Sequence, residues 1–507
     1  MKVAVIDVGF NSIKMVRYKV EPDGSAKAYG QVGVLAKLGE GLERTGYLGN
    51  EPVSRTIDAL RVCRETASLE SIKHVLLIGT SPVREAANRE EFLRRVQDET
   101  GLKMRVLSGN EEALYGVLGA QRAVDAERML FFDLGGGSLE LTFVDKMRVR
   151  RILSLPLGAL KLTSIFAGKD GTFSKKNRNR MVKQIVRALP SRRELGMDDD
   201  AMLVGTGGTV RAMARYDQDL MDYPIDKVHN YCIEFDSVQQ MNREFFRLKP
   251  TELGRLEAIG NGRSETIAAG AAVVRALMEE LDFKQVIVST HGLRDGILTE
   301  FLERGVRDPS GVTQKVDVER LLSGPPQSAG LASNADLLEC LSRNGLIDSR
   351  EEKILLAAAW RGRSPDSAEA DAVAAFGILM SEDLPMSHAD QLLVALSVVR
   401  ARRPRTANWL VKKYEEVLGH DDRRVKKLGA CLKLMDLLDR SKAQFRVAYS
   451  GAVRISVLQN EGPFPLELAR MAAQTLSSVI QKPVTIFVSA KERERHAGLV
   501  KVGNRVG

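Results

Sequence analysis

An internal repeat constrains this chain more than anything else in it. VAVIDVGFNSIKM (Val3 to Met15) lies over MLFFDLGGGSLEL (Met129 to Leu141), with Asp7 on Asp133, Gly9 on Gly135, Asn11 on Gly137 and Ser12 on Ser138. Each copy reads as a strand, an Asp-x-Gly turn and a second strand. The turns are rich in residues that tolerate positive φ and leave backbone N–H groups pointing outward. Such groups form an anion nest. Two nests on two similar domains, facing across a cleft, can grip one phosphate chain from both sides. The acids would then hold a divalent cation through water, the habit of Mg2+.

The rest of the chain narrows the setting. At 507 residues it is too long for one core, so about three or four domains are expected. Charged residues make up 28% and aromatics 5%, which suits a helix-rich soluble protein. Cys63, Cys232, Cys340 and Cys431 show no CxxC spacing, which excludes a disulfide framework and a zinc site and points to a reducing compartment. The opening MKVAVIDVG is too short an apolar run for a secretion signal, and no stretch reaches the ~18 apolar residues that span a bilayer. A cytoplasmic protein is expected. A net charge of +9 favours an anionic partner, although charge alone fits a plain basic surface.

Two further turns belong to the same pattern. AMLVGTGGTVRAMAR reads as a strand, a Gly/Thr turn and a helix whose N-terminus sits beside Thr206, Gly207, Gly208 and Thr209, a ready anion site. Ordinary strand–helix packing explains these glycines equally well. KQVIVSTHGLRDGILTEFL (Lys284 to Leu302) repeats the strand–turn–helix order. There is no GxxxxGK[ST] loop, and GTGGTVRA has Val210 where a GxGxxG fingerprint ends in glycine.

The chain resembles the exopolyphosphatase / guanosine pentaphosphate phosphohydrolase family. The resemblance rests on VIDVGFNSIKM, GTSPVREAANREEFL, LSGNEEALYGVLGA, FDLGGGSLEL, GTGGTVRAMA, GRSETIAAGAAVVRALM and STHGLRDGIL, in that order, over residues 1 to about 305. It implies an α/β fold with a duplicated actin-like (ASKHA, RNase H-like) catalytic half, divided at 1–124 and 125–305. By the same resemblance Glu112 is the catalytic base and Arg84 contacts the phosphate chain. Asp133, Glu140 and Asp7 surround the metal, Mg2+ or another divalent cation. Gly9, Asn11, Ser12, Gly135, Gly136, Gly137 and Ser138 form the two phosphate loops; Thr206, Gly207 and Gly208, read from their place at a helix start, are a further candidate contact that ordinary packing explains equally well.

Chemistry supports those roles independently. Phosphoryl transfer to water needs positioning, charge neutralisation and a base for the water. An arginine fork matches phosphate oxygens. Spacing alone would leave Glu112 a solvated acid at a helix start and Arg84 an exposed arginine. Two residues depart from the family pattern: Phe10 stands where a small residue is usual, so it would narrow the mouth or stack on something, and Leu139 stands where Thr is common.

The implied substrate is inorganic polyphosphate or pppGpp. A kinase or ATPase of the same superfamily, and a non-catalytic sensor, are the weaker alternatives. Residues 171 to 193 carry eight cations and no acid, and residues 402 to 427 are also basic. Such runs are usually solvated helix faces, yet a long polyanion would need cations beyond the cleft. No basic face interleaved with aromatics is evident, so no specific nucleic acid is expected. A Pro/Gly/Ser-rich linker (RDPSGVTQKVD, then Ser323 to Gly330) leads into helical sequence at 318–440. That region resembles an HD-type bundle, but it offers only His388 and His420, so no metal site is expected there. Residues 441–507 read as a small α/β domain. A homodimer is implied by the family resemblance alone.

Overall fold

A computed structural model of the chain describes residues 1–21, 26–121, 123–146, 148–197, 200–260, 262–304, 335–362, 371–440, 444–459 and 464–488. The linker read around 307–330 lies outside them. The chain divides into two compact units, Met1–Gly324 and Pro325–Gly507.

The first unit holds two sheets whose topologies match. In one, β1 (Lys2–Val8), β2 (Ile13–Val20), β3 (Ala26–Val34), β4 (His74–Gly79) and β5 (Met104–Val106) run in the order β3-β2-β1-β4-β5. The other contains β6 (Arg128–Leu134), β7 (Leu139–Asp145), β8 (Arg148–Leu155), β9 (Met202–Thr206), β10 (Cys232–Glu234) and β11 (Gln285–Val288). Its order read from the far side is β8-β7-β6-β9-β11-β10, the same plan with one added edge strand. In each, the first hairpin is antiparallel and the next two neighbours are parallel. This is the duplicated, actin-like architecture of mixed sheets flanked by helices.

The leading strands read as continuous apolar runs because helices cover both faces. In β1, Ala4, Ile6 and Val8 face a core with Ile57 and Leu60, while Val3 and Val5 face a second core with Tyr115, Leu118 and Ile297. In β6, Leu130, Phe132 and Leu134 join the largest core of the unit, while Met129 and Phe131 meet Val117 and Ala120. The helix Gly109–Gln121 therefore serves both sheets, and it is apolar nearly all round, as a helix buried on several sides must be. Each fully buried Val, Leu or Ile here contributes about 1.5–3 kcal/mol.

The helix Leu293–Arg304 follows the last strand of the second sheet but packs on the first, against the Gly109–Gln121 helix and β1. The two helices touch backbone to backbone. A Cβ on Gly296 would stand 2.0 Å from the Tyr115 carbonyl oxygen, and one on Gly119 would stand 2.0 Å from that of Gly292.

The second unit is built round the helix His388–Arg402, with Ser349–Arg361, Ala372–Ser381, Pro404–Lys413 and Asp422–Arg440 against it. A sheet in the order β12-β13-β14 (Gln444–Tyr449, Val453–Gln459, Val484–Val488) carries the helix Leu466–Ile480. The sequence reading separates 318–440 from 441–507. Here Leu392, Leu396, Leu434, Ile455 and Leu476 belong to one apolar core, so the helices and the small sheet pack as a single body. His420 lies on an exposed turn with Nδ1 2.8 Å from Glu415 Oε1, whereas His388 is buried. On the Pro404–Lys413 helix, Trp409 is 59% exposed, with Lys413 5.9 Å from its ring.

Candidate functional site

The two Asp-x-Gly turns fold alike. In both, the first glycine N–H donates across the turn to the serine carbonyl: Gly9 to Ser12 at 3.1 Å and Gly135 to Ser138 at 3.1 Å. The carbonyls inside each turn are then tied backwards. Phe10 and Asn11 accept from Gly39 (3.0 Å) and Lys37 (2.9 Å). Gly135, Gly136 and Gly137 accept from Ala159 (3.0 Å), Lys161 (2.9 Å) and Gly158 (3.2 Å), at the start of the helix Ala159–Phe166. A trans peptide points its N–H opposite its carbonyl, so tying the carbonyls back turns the N–H groups toward the cleft. Among the described residues, no protein acceptor meets the N–H groups of Asn11, Ser12, Gly136, Gly137 or Ser138. This is the geometry of an anion nest.

Phe10 does not stand free in the mouth. It is 5% exposed, and its ring fills the space where Gly39 and Gly137 lack side chains: a Cβ would approach it to 2.3 Å and 2.6 Å respectively. The two loops therefore meet across one aromatic ring. Leu139 is fully buried in the core of the second sheet.

The loops open on a cleft of about 340 Å³ lined by Asp7, Gly9, Asn11, Ser12, Glu112, Asp133, Gly135, Gly136, Gly137, Ser138, Glu140, Thr206, Gly207 and Gly208. Every site residue expected from sequence, apart from Arg84, faces it. Arg84 touches it through Glu112: its Nη1 donates to Glu112 Oε2 at 2.9 Å and to the Leu107 carbonyl at 2.9 Å. Thr206 turns its hydroxyl away to the Ser289 carbonyl, 2.9 Å off. Gly207 has φ of 111°, and a Cβ there would meet the Leu134 carbonyl oxygen at 2.4 Å. Only glycine fits that turn.

The cleft gathers both acids and bases. Burial raises the Glu112 carboxyl well above its usual range, and the Glu140 charge adds to this while Arg84 opposes it. Burial also lifts Glu140 to about 7, against hydrogen bonds from Ser138 and from Ser154, whose Oγ donates at 2.9 Å. Asp133 is raised by its enclosure and then by the charge of Asp7. The bases of the cleft, which sequence reasoning missed, are Lys14, Arg211, Arg263 and Arg294. Burial, reinforced by Arg211 and Arg294, lowers Lys14 to about 7. Arg294 Nη1 lies 3.2 Å from Asp7 Oδ2, and the Arg263 guanidinium fills the space above Gly208. One signal was within reach. The repeat that places Asp7 on Asp133 also places Lys14 on Glu140, and the strand registers pair Asp7 with Lys14 and Asp133 with Glu140.

The donor set suits a divalent cation. Asp133 and Glu140 are crowded carboxylates whose mutual repulsion a cation would relieve, and oxygen ligands are those that Mg2+ takes. Asp7 is already partnered by Arg294.

The first unit is similar to known proteins. The sequence model of the Ppx/GppA phosphatase family matches residues 27–305. The exopolyphosphatase 1 of Mycobacterium leprae is 26% identical over 332 residues, covering 62% of this chain and 96% of that one. A bifunctional 3-dehydroquinate synthase/phosphatase of Fusobacterium nucleatum is 25% identical over 315 residues; the match takes in 59% of this chain but only 46% of that larger protein. The crystal structure of the Aquifex aeolicus Ppx/GppA family member superposes with a TM-score of 0.51 at 27% identity, covering 60% of this chain and 99% of that one.

Proposed function

The chain belongs to the Ppx/GppA phosphatase family, a family of phosphohydrolases, and we propose that it removes terminal phosphate from inorganic polyphosphate in this cleft. The observation that supports the reading is the hydrogen bond that fixes Glu112 against Arg84, in a cleft lined by two loops of outward N–H groups. The loop N–H groups and the bases of the cleft take the phosphate oxygens. Water attacks the terminal phosphorus while Glu112 accepts its proton. The bond to the bridging oxygen breaks, and its electron pair stays with the shortened chain. A carboxyl with a raised pKa is a stronger base than an ordinary one, which suits this step near neutrality. Arg84 holds Glu112 in place and keeps further donors for phosphate.

Asp133 and Glu140, with Asp7 beside them, would hold a divalent cation. Bound there, it would neutralise charge on the phosphate oxygens.

The test is phosphate release from long-chain polyphosphate and from pppGpp, in parallel, with Mg2+, for the native protein and E112Q. Release from polyphosphate that drops by about 10²–10⁴ in the variant is expected. Preference for pppGpp would replace the substrate and keep the chemistry. Tight binding without release from either would overturn the reading.

A further inference from the structure

The helix Lys175–Ala188 buries Met181 and Ile185 and turns the opposite face outward. That face carries Lys176, Arg180, Lys183 and Arg187, all exposed. Their spacing of four, three and four residues puts them in one line about 17 Å long. Among the described residues, none of the four has a carboxylate within 4.0 Å. Other cations of this unit are paired, as Arg55 is with Glu40 and Glu51, and the exposed Arg61 with Asp58 and Glu99. A row of uncompensated like charges along a helix is destabilising.

The row is connected to the cleft. The helix Ala159–Phe166 begins by holding the Gly135–Gly137 carbonyls, and its last carbonyl, that of Phe166, accepts from Asn177 Nδ2 at 3.0 Å. The row thus starts roughly one such helix, about 12 Å, from the glycine loop. Just past its other end, the short helix Arg192–Leu195 helps to form a hollow of about 440 Å³ lined by four arginines, Arg128, Arg150, Arg151 and Arg193, against two acids, Asp145 and Glu194. Arg128 and Arg150 hold Asp145 at 2.9 Å and 3.0 Å. Arg151 and Arg193 have no carboxylate within 4.0 Å among the described residues.

We propose that the Lys176–Arg180–Lys183–Arg187 row, leading into this arginine-lined hollow, binds the distal part of a long polyphosphate chain whose end is in the cleft. The proposal rests on the polyphosphate reading above. It makes chain length the property the enzyme selects. A ligand of three phosphates is used up by the cleft, whereas a long chain gains the row as a second grip and stays bound between cuts. The face presents charge without exposed aromatic rings, which suits a polyanion that has no bases to stack.

The experiment compares the full-length protein with a K176Q/R180Q/K183Q/R187Q variant, and with R180Q/K183Q as the milder one. Hydrolysis of long-chain polyphosphate and of tripolyphosphate is measured across a salt series, and binding of long-chain polyphosphate is measured directly in each protein. The KM for long chains is expected to rise about tenfold at low salt, and the salt slope of binding to fall by about 3. Tripolyphosphate hydrolysis should change less than about twofold, because none of the four residues lines the cleft. Equal losses on both substrates, or no loss on either, would overturn the proposal. If native protein hydrolyses neither substrate, the catalytic reading fails; unchanged long-chain binding in the variant then overturns the row as well, and weakened binding sustains it. Equal, row-dependent binding of single-stranded RNA would make the face a general polyanion surface and overturn the assignment to polyphosphate.

Discussion

Lys14 and Glu140 occupy the same seat in the two hairpins, and their opposite charges separate two otherwise matching turns. Glu140 makes the cost of the gathered acids measurable. Its folded-state pKa of about 7 exceeds the ordinary 4.5, so between those values the folded protein binds more protons than the unfolded one. Stability contributed by the protonated form is therefore lost as pH rises through 7, on the order of 3 kcal/mol. Chelator-treated protein should melt at a lower temperature at pH 8 than at pH 5, and E140Q should flatten that slope; an unchanged slope in E140Q would remove Glu140 as its source. In the active enzyme, loss of rate on the acid side should set in above the usual carboxylate range and vanish in E112Q, as a pH profile of kcat/KM would show. Phe10 answers to packing instead. F10A should cost about 3–5 kcal/mol in denaturant unfolding, because its ring fills the gap between two glycines. The acids and loops were legible in the sequence because turn chemistry leaves a local signature. Lys14, Arg211, Arg263 and Arg294 were harder to see, since a cation inside an apolar strand or a helix start looks ordinary until the fold gathers four of them.

At the level of elements, the hairpins, the strand–turn–helix units and the small C-terminal sheet could be read from alternation and turn residues. The crossing of Gly109–Gln121 and Leu293–Arg304 could not, since it depends on two backbones approaching across a long stretch of chain. Gly119 and Gly296 look like weak points in helical sequence; in the structure they are the points of contact. G296A should therefore cost about 3 kcal/mol or more, despite alanine's better helix propensity, because the new methyl meets the Tyr115 backbone and not a movable side chain. Thermal unfolding checks this, and a neutral or stabilising result would mean that the helices can part without penalty.

On the scale of the whole chain, each unit has its own apolar cores. A chain ended at Gly324 should unfold in one cooperative transition and still cleave tripolyphosphate; failure to fold would show that the first unit depends on the second. The match to the Mycobacterium leprae protein, which takes in 96% of that protein's length and 62% of this one, argues that such a chain is viable. Leu293–Arg304 follows the last strand of the second sheet along the chain, yet it shares a core with β1. The return of this helix also bears on where the chain needs to start. With Leu298 packed in the same core as Val3 and Val5, the first strand and this helix are neighbours. The peptide connection between successive elements can then be moved without moving the elements. A circular permutant that joins the end of this helix to Met1 and opens the chain at a surface turn should keep both loops, both sheets and the cleft between them.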